Sequence, residues 1–215
     1  MIGSEAHAKG FGILLAGGAN LIRDPRAGRN FEYIGEDPLL SGLLAGRAIA
    51  GVQSNGIVST VKHFALNHQE TGRDVYSVNM DEAAARESEF LSFQIAIETG
   101  DPGSVMCAYN RVNAVYACEN RFLLTDVLRR DWGFPGWVMS DWGATPSIGA
   151  LGLDQQSGYT YDAKPFFGIG LKKSHGYREG AVVREMGYRK LSARPRHRGQ
   201  KPDDIAGFKK ASPPV

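Results

Sequence analysis

The sequence predicts an α/β protein: a TIM-like (β/α) barrel that is incomplete, with about four to five βα units and a basic, disordered C-terminal tail. Three observations predict it. Four short apolar runs alternate with helix-like stretches, and near-continuous apolar strands are those buried on both faces of a parallel sheet. No run is followed by a GxGxxG or GxxxxGKS/T loop, which argues against a nucleotide-binding open sheet. Polar residues gather where the runs end, the face that carries the active site in a (β/α) barrel.

In order, Glu5 to Lys9 reads as the end of a helix, and Phe11-Gly-Ile-Leu-Leu-Ala16 as a strand closed by Gly17-Gly18. A polar loop runs from Asn20 to Asp37. Pro38 then suits the first turn of a helix, and Leu39, Leu40, Leu43, Leu44 and Ala48 keep helical spacing to about Gln53. Ile57 to Val61 is a second strand, ending at Lys62-His63-Phe64. Asp81 precedes one long helical pattern through Ile97, with acidic Glu82 in its first turn. Ser104 to Ala108 is a third strand, leading to Tyr109-Asn110. Asn120 caps a helix through Arg130, and Gly136 to Asp141 is the fourth strand. A full barrel needs eight strands, and residues 148–171 have room for few more.

Composition bounds the partners. No run approaches the roughly 18 to 20 apolar residues of a membrane span, and the first residues lack the basic and apolar regions of a secretory leader. The two cysteines, Cys107 and Cys118, have no CxxC spacing and are expected to be plain thiols. No His, Cys or carboxylate cluster has metal-ligand spacing, so neither metal nor cofactor is expected.

The net charge of +2 conceals an asymmetry. From Lys172 to Val215, twelve Lys plus Arg face four Asp plus Glu, a net of +8; the rest carries 13 against 19, a net of −6. The tail could be a solvated basic segment or a nucleic-acid arm, but it has no aromatic platform or binding motif, so no nucleic-acid partner is expected.

The strand-end residues form one candidate set: Arg29, Lys62, His63, Arg73, Tyr109 and Asp141, with Trp142 beside the last. Nearby cations keep a carboxylate ionised, which suits a nucleophile or a charge stabiliser. Donors and an indole around it suit a sugar, whose ring stacks on the aromatic face. Residue types alone leave the alternative open, in which the cations are solvated loop residues and Asp141 is a helix cap.

Longer motifs separate the two. RDPRAGRNFEYIGEDP (Arg23–Pro38), KHFALNHQETGR (Lys62–Arg73), SVMCAYNRVN (Ser104–Asn113), LLTDVLRRDWGFPGWVMSDWGA (Leu123–Ala144) and GLDQQ (Gly152–Gln156) together resemble glycoside hydrolase family 3, of the β-glucosidase type. The resemblance covers about residues 1–173, and it implies a retaining exo-β-glucosidase acting on a β-linked glucoside or related oligosaccharide. It implies that Asp141 is the nucleophile and forms a covalent glycosyl intermediate. Arg29, Lys62, His63, Arg73 and Tyr109 would bind sugar hydroxyls, and Trp142 would form an apolar wall. Glu32, Asn67, Glu70 and Asn110 match the motifs as residues that orient these donors. The hexosaminidase branch carries a Pro-Gly-His element after its Lys-His pair. KHFALNHQE lacks it, which leaves His68 as a structural loop residue.

Three departures accompany the resemblance. The family's earlier strands have no counterpart, so Met1 is expected to be an internal start. The acid/base Glu sits on a separate domain in the β-glucosidase type and is not found here. Residues 174–215 depart from the family and are expected to reflect a shifted reading frame. The domain division is therefore a partial barrel over 1–173 and a basic tail over 174–215. A missing domain or a partner chain would be needed to complete the barrel, and the alternative is a non-catalytic remnant that binds sugar weakly or not at all. The chain alone is accordingly expected to be poorly stable.

Overall fold

The computed structural model describes residues 1–146 and 153–157. The expected tail, and the boundary near residue 173, lie outside the described residues. The chain folds as a curled parallel sheet, a partial (β/α) barrel, with helices on its outer face. Its strands are β1 (Ile13–Leu14), β2 (Val58–Phe64), β4 (Ser104–Cys107), β7 (Trp137–Trp142) and β8 (Gln155–Ser157), side by side in that order and all parallel. The fifth strand comes from the GLDQQ segment. Nearly every residue of β2, β4 and β7 is buried, as strands covered on both faces must be.

A short helix, α1 (Ile2–Ala8), precedes β1. Helix α2 (Pro38–Gln53) starts where the sequence places it: Asp37 caps it, its carboxylate accepting from Leu40 N at 2.7 Å, with Pro38 in the first turn. The face it buries is the unexpected one. Leu39, Leu40, Leu43 and Leu44 are 39–53% exposed, whereas Ser41, Ala45 and Ile49 face inward. Small residues win because they let α2 approach the next long helix closely. A Cβ on Gly42 would stand only 2.7 Å from Ile95 Cβ.

The single long helix expected from Asp81 is two. Helix α3 (Glu82–Glu87) and helix α4 (Glu89–Gly100) meet at Ser88, which leaves helical geometry at φ −127° and ψ −87°. The Ser88 hydroxyl donates to Ala84 O, and a serine bonding back four residues loosens a helix. The next residue, Glu89, is 1% exposed and committed to partners outside the helix. A further helix, α5 (Phe122–Asp131), is wound wide, Trp132 N donating to Val127 O; Asn120 accepts from Leu123 N near its start.

Between these elements lies a small sheet that the sequence reading missed. β3 (Ser77–Val78) pairs with β5 (Arg111–Val112), which turns back as a hairpin into β6 (Val115–Tyr116). Strands of two residues carry too little periodicity to read. The hairpin also corrects the expectation of two plain thiols. It returns the chain so that Cys118 meets Cys107, with Cα atoms 5.1 Å apart, and the two form a disulfide. Spacing in sequence could not show this, because the pairing depends on where the hairpin turns.

The core lies between the sheet and its helices. Phe64 is fully buried, its ring centroid 5.7 Å from Phe90, 5.2 Å from Phe93 and 5.5 Å from Trp132. Replacing Phe64 with Ala removes a ring from a site that cannot collapse to fill it. Urea unfolding should show a loss of about 3–5 kcal/mol. Leu43→Ala, on the exposed side of α2, should stay within about 0.5 kcal/mol. Equal losses would mean that the core has been misplaced.

Candidate active site

Four of the five strands, with the loops that follow them, send polar side chains into a single cleft of about 310 Å³. The loop after β1 brings Arg29. The end of β2 brings Lys62 and His63, and the loop after it brings Glu70 and Arg73. Tyr109 follows β4, and β7 ends with Asp141 and Trp142. All seven candidates for nucleophile and sugar contact therefore line one cleft, together with Leu15 and Met106.

Asp141 is 7% exposed. Its Oδ1 accepts from Trp142 N at 2.8 Å, while Oδ2 is buried with no hydrogen bond. His63 Nε2 faces Oδ2 at 3.6 Å. The Tyr109 hydroxyl stands near the same carboxylate; burial, then the negative charge of Asp141, pushes its pKa up to about 12, so it stays a donor at neutral pH. Trp142 is 53% exposed and also lines the cleft.

The cations are not paired with Asp141 directly. Lys62 Nζ lies 2.8 Å from Glu32 Oε1, and Arg29 reaches Glu32 Oε2 through Nε at 2.7 Å. Burial opposes charge on Glu32, but hydrogen bonds from Lys62 and Arg29 outweigh it and hold the pKa below the ordinary carboxylate value. Arg73 pairs with Glu70 and lies over the Tyr109 ring, its guanidinium carbon 4.0 Å from the centroid. Asn67 donates to Glu70 Oε1 at 3.1 Å, and Tyr76 in turn donates to Asn67. Glu32, Asn67 and Glu70 thus hold the donors in place. Asn110 stands apart: it is fully buried and donates to Ala65 O and Arg111 O, bracing the turn behind Tyr109.

His63 is 1% exposed. Burial, then the positive charges of Arg29, Lys62 and Arg73, drive its pKa well below 6.5, so the ring is neutral. Two residues the sequence reading did not single out hold it. Asn20 clasps its backbone, accepting from His63 N at 2.7 Å and donating to His63 O at 3.0 Å. Tyr33 meets ring atom Nδ1 at 3.2 Å. Both lie near residues that were named, but their direction depends on the loop path. His68 Nε2 stands 2.7 Å from Glu89 Oε2, off the hydrogen-bond direction, while Arg23 donates to Glu89 Oε1 at 2.6 Å. This buried acid ties the loops after β1 and β2 to α4. Among the described residues, no group of three His, Cys, Asp or Glu is placed to hold a metal ion, and no helix is long and apolar enough to cross a membrane.

A buried carboxylate among donors, at the C-terminal rim of a (β/α) sheet, stands where barrel enzymes carry their active sites. The sequence description of the glycosyl hydrolase family 3 N terminal domain matches residues 1–158, and the chain belongs to this family of glycosidases. Thermostable beta-glucosidase B of Acetivibrio thermocellus is 44% identical over 191 residues, 89% of this chain and 24% of that protein. An exo-alpha-(1->6)-L-arabinopyranosidase of Bifidobacterium longum is 44% identical over 155 residues, 70% of this chain and 20% of that protein. Among solved structures, DesR, a beta-glucosidase from Streptomyces venezuelae in complex with D-glucose, matches with a TM-score of 0.76 at 39% identity. That match covers 92% of this chain and 28% of the DesR chain. Beta-glucosidase 3B from Thermotoga neapolitana, in complex with glycerol, matches with a TM-score of 0.75 at 39% identity, covering 89% and 28%. The chain spans about a quarter of the length of these relatives.

The neutral state of His63 has a consequence for stability. Its folded pKa lies below 6.5, so between the two values the unfolded chain binds a proton that the folded chain refuses. Stability therefore falls as pH drops through 6.5. The contribution of Glu32, present above its ordinary 4.5, is lost only lower, as pH falls through its folded value. The urea midpoint should decline on going from above 6.5 to about one unit below it, and His63→Gln should flatten that decline. An unchanged slope in the variant would place the protonating group elsewhere.

Proposed function

We propose that the cleft is the sugar-binding and nucleophile half of a retaining, exo-acting β-glucosidase site. The observation that carries this reading is Asp141: a buried carboxylate that lines a cleft of donors, with His63 and the Tyr109 hydroxyl beside it. A carboxylate oxygen attacks the anomeric carbon as the glycosidic C–O bond breaks, giving a covalent glycosyl-Asp141. The departing oxygen takes a proton from a general acid, and water then releases the sugar and regenerates the carboxylate. Arg29, Lys62, His63, Arg73 and Tyr109 bind the sugar hydroxyls, and Trp142 forms an apolar wall for the ring.

The general acid comes from outside the described residues, on another part of the protein or on a partner chain. The two nearest other carboxyls described, one lining the cleft and one behind its cations, are committed: Glu70 to Arg73 and Asn67, Glu32 to Lys62 and Arg29. Glu32, held ionised by those cations, has no proton to give a leaving group. A second substrate class, α-L-arabinopyranosides, is favoured by the 44% identity to proteins named for that activity.

The test uses an activated aryl β-glucoside, whose leaving group departs without protonation, with the α-L-arabinopyranoside in parallel. The chain should release one equivalent of aryl alcohol in a burst and gain the mass of one glycosyl unit, and Asp141→Ala should do neither. Labelling only by the arabinoside would shift the substrate to that class. A folded chain that takes up no label from either would leave a remnant that at most binds sugar.

A further inference from the structure

Tyr33 has no part in the proposed chemistry, yet it touches the neutral ring that faces the proposed nucleophile. It is 8% exposed, and its hydroxyl lies 3.2 Å from His63 Nδ1. The two rings meet edge to face, 6.3 Å between centroids and 79° between planes. On its other side the Tyr33 ring lies against Gly18, where a Cβ would stand 3.0 Å from Cδ1 and 2.6 Å from Glu32 O. The ring is therefore held between a backbone that leaves no room and the imidazole it serves.

A neutral imidazole carries one proton and has two nitrogens to place it on. Nε2 faces Asp141 Oδ2 at 3.6 Å, and a lone pair there would meet negative charge. A proton there meets it favourably. Nδ1 must then be the acceptor, and a hydroxyl that donates to it selects that arrangement from the far side. Burial raises the Tyr33 pKa above its ordinary 10.0, so the hydroxyl keeps its proton.

We infer that Tyr33 is a positioning residue: its hydroxyl donates to His63 Nδ1, fixes the tautomer with the proton on Nε2, and so keeps an N–H donor aimed at Asp141 and at the sugar bound beside it. The inference rests on the glycosidase reading of the cleft for its effect on rate. The tautomer itself does not depend on that reading. In the second neutral form, with the proton on Nδ1, the ring would present a lone pair to both the carboxylate and a sugar hydroxyl oxygen.

The experiment joins a spectroscopic measurement to a kinetic one. In the full chain labelled with 15N-histidine, the His63 signals, identified by their loss in His63→Gln, should report a proton on Nε2 and an accepting Nδ1. In Tyr33→Phe, which keeps the ring and loses only the hydroxyl, the signals should move toward a mixture of tautomers. The kcat/KM for aryl β-glucoside should fall about tenfold, the rate equivalent of one neutral hydrogen bond. A parent protein with the proton on Nδ1 would overturn the inference. So would a Tyr33→Phe protein with the parent's tautomer, or one whose tautomer shifts with no change in rate. A parent that releases no aryl alcohol yet shows the Nε2 proton, lost in Tyr33→Phe, would sink the glycosidase reading and leave the tautomer assignment standing.

Discussion

A carboxylate placed at the end of a buried strand has to be surrounded by groups that can face negative charge, and much of this cleft follows from that requirement. An unpaired charge removed from water is costly. Asp141 meets the requirement without a direct ion pair to Lys or Arg: one oxygen takes a backbone N–H, and the other faces a neutral imidazole. An ion pair would settle the charge more fully, but it would also occupy the oxygen that the proposed chemistry uses.

The cations are managed in the same spirit. Arg29 and Lys62 share Glu32, and Arg73 is held by Glu70 and stacked on Tyr109. Each positive side chain is thereby fixed in direction before any ligand arrives, and such pre-ordering lowers the cost of binding. Burial, and then three cations close by, keep the His63 ring neutral, so a histidine beside a carboxylate does not become its counter-ion.

The scaffold extends this order outward. The buried Glu89 ties the loops after β1 and β2 to the start of α4, and the break at Ser88 lets that acid turn inward. The Cys107–Cys118 disulfide and the β5–β6 hairpin brace the turn that presents Tyr109. Loops that carry site residues are thus tied at several points to elements of the core.

The parallel strands were legible in the sequence because strands buried on both faces are written as unbroken apolar runs, and Asp37 and Pro38 marked the start of α2 by their own chemistry. The cleft residues were legible because they sit at strand ends inside long motifs. Tertiary structure decided the rest. It turned Leu39 to Leu44 outward, since close packing of α2 on α4 needs small side chains that no hydrophobic periodicity announces. It paired the cysteines, since a two-residue hairpin decides where Cys118 falls. It also brought Tyr33 and Asn20 to His63 from 30 and 43 residues away. Residue type and spacing determine which groups this chain offers at the rim of its sheet. Which of them touch is set by loop paths, and a loop path is the outcome of packing rather than of any local pattern.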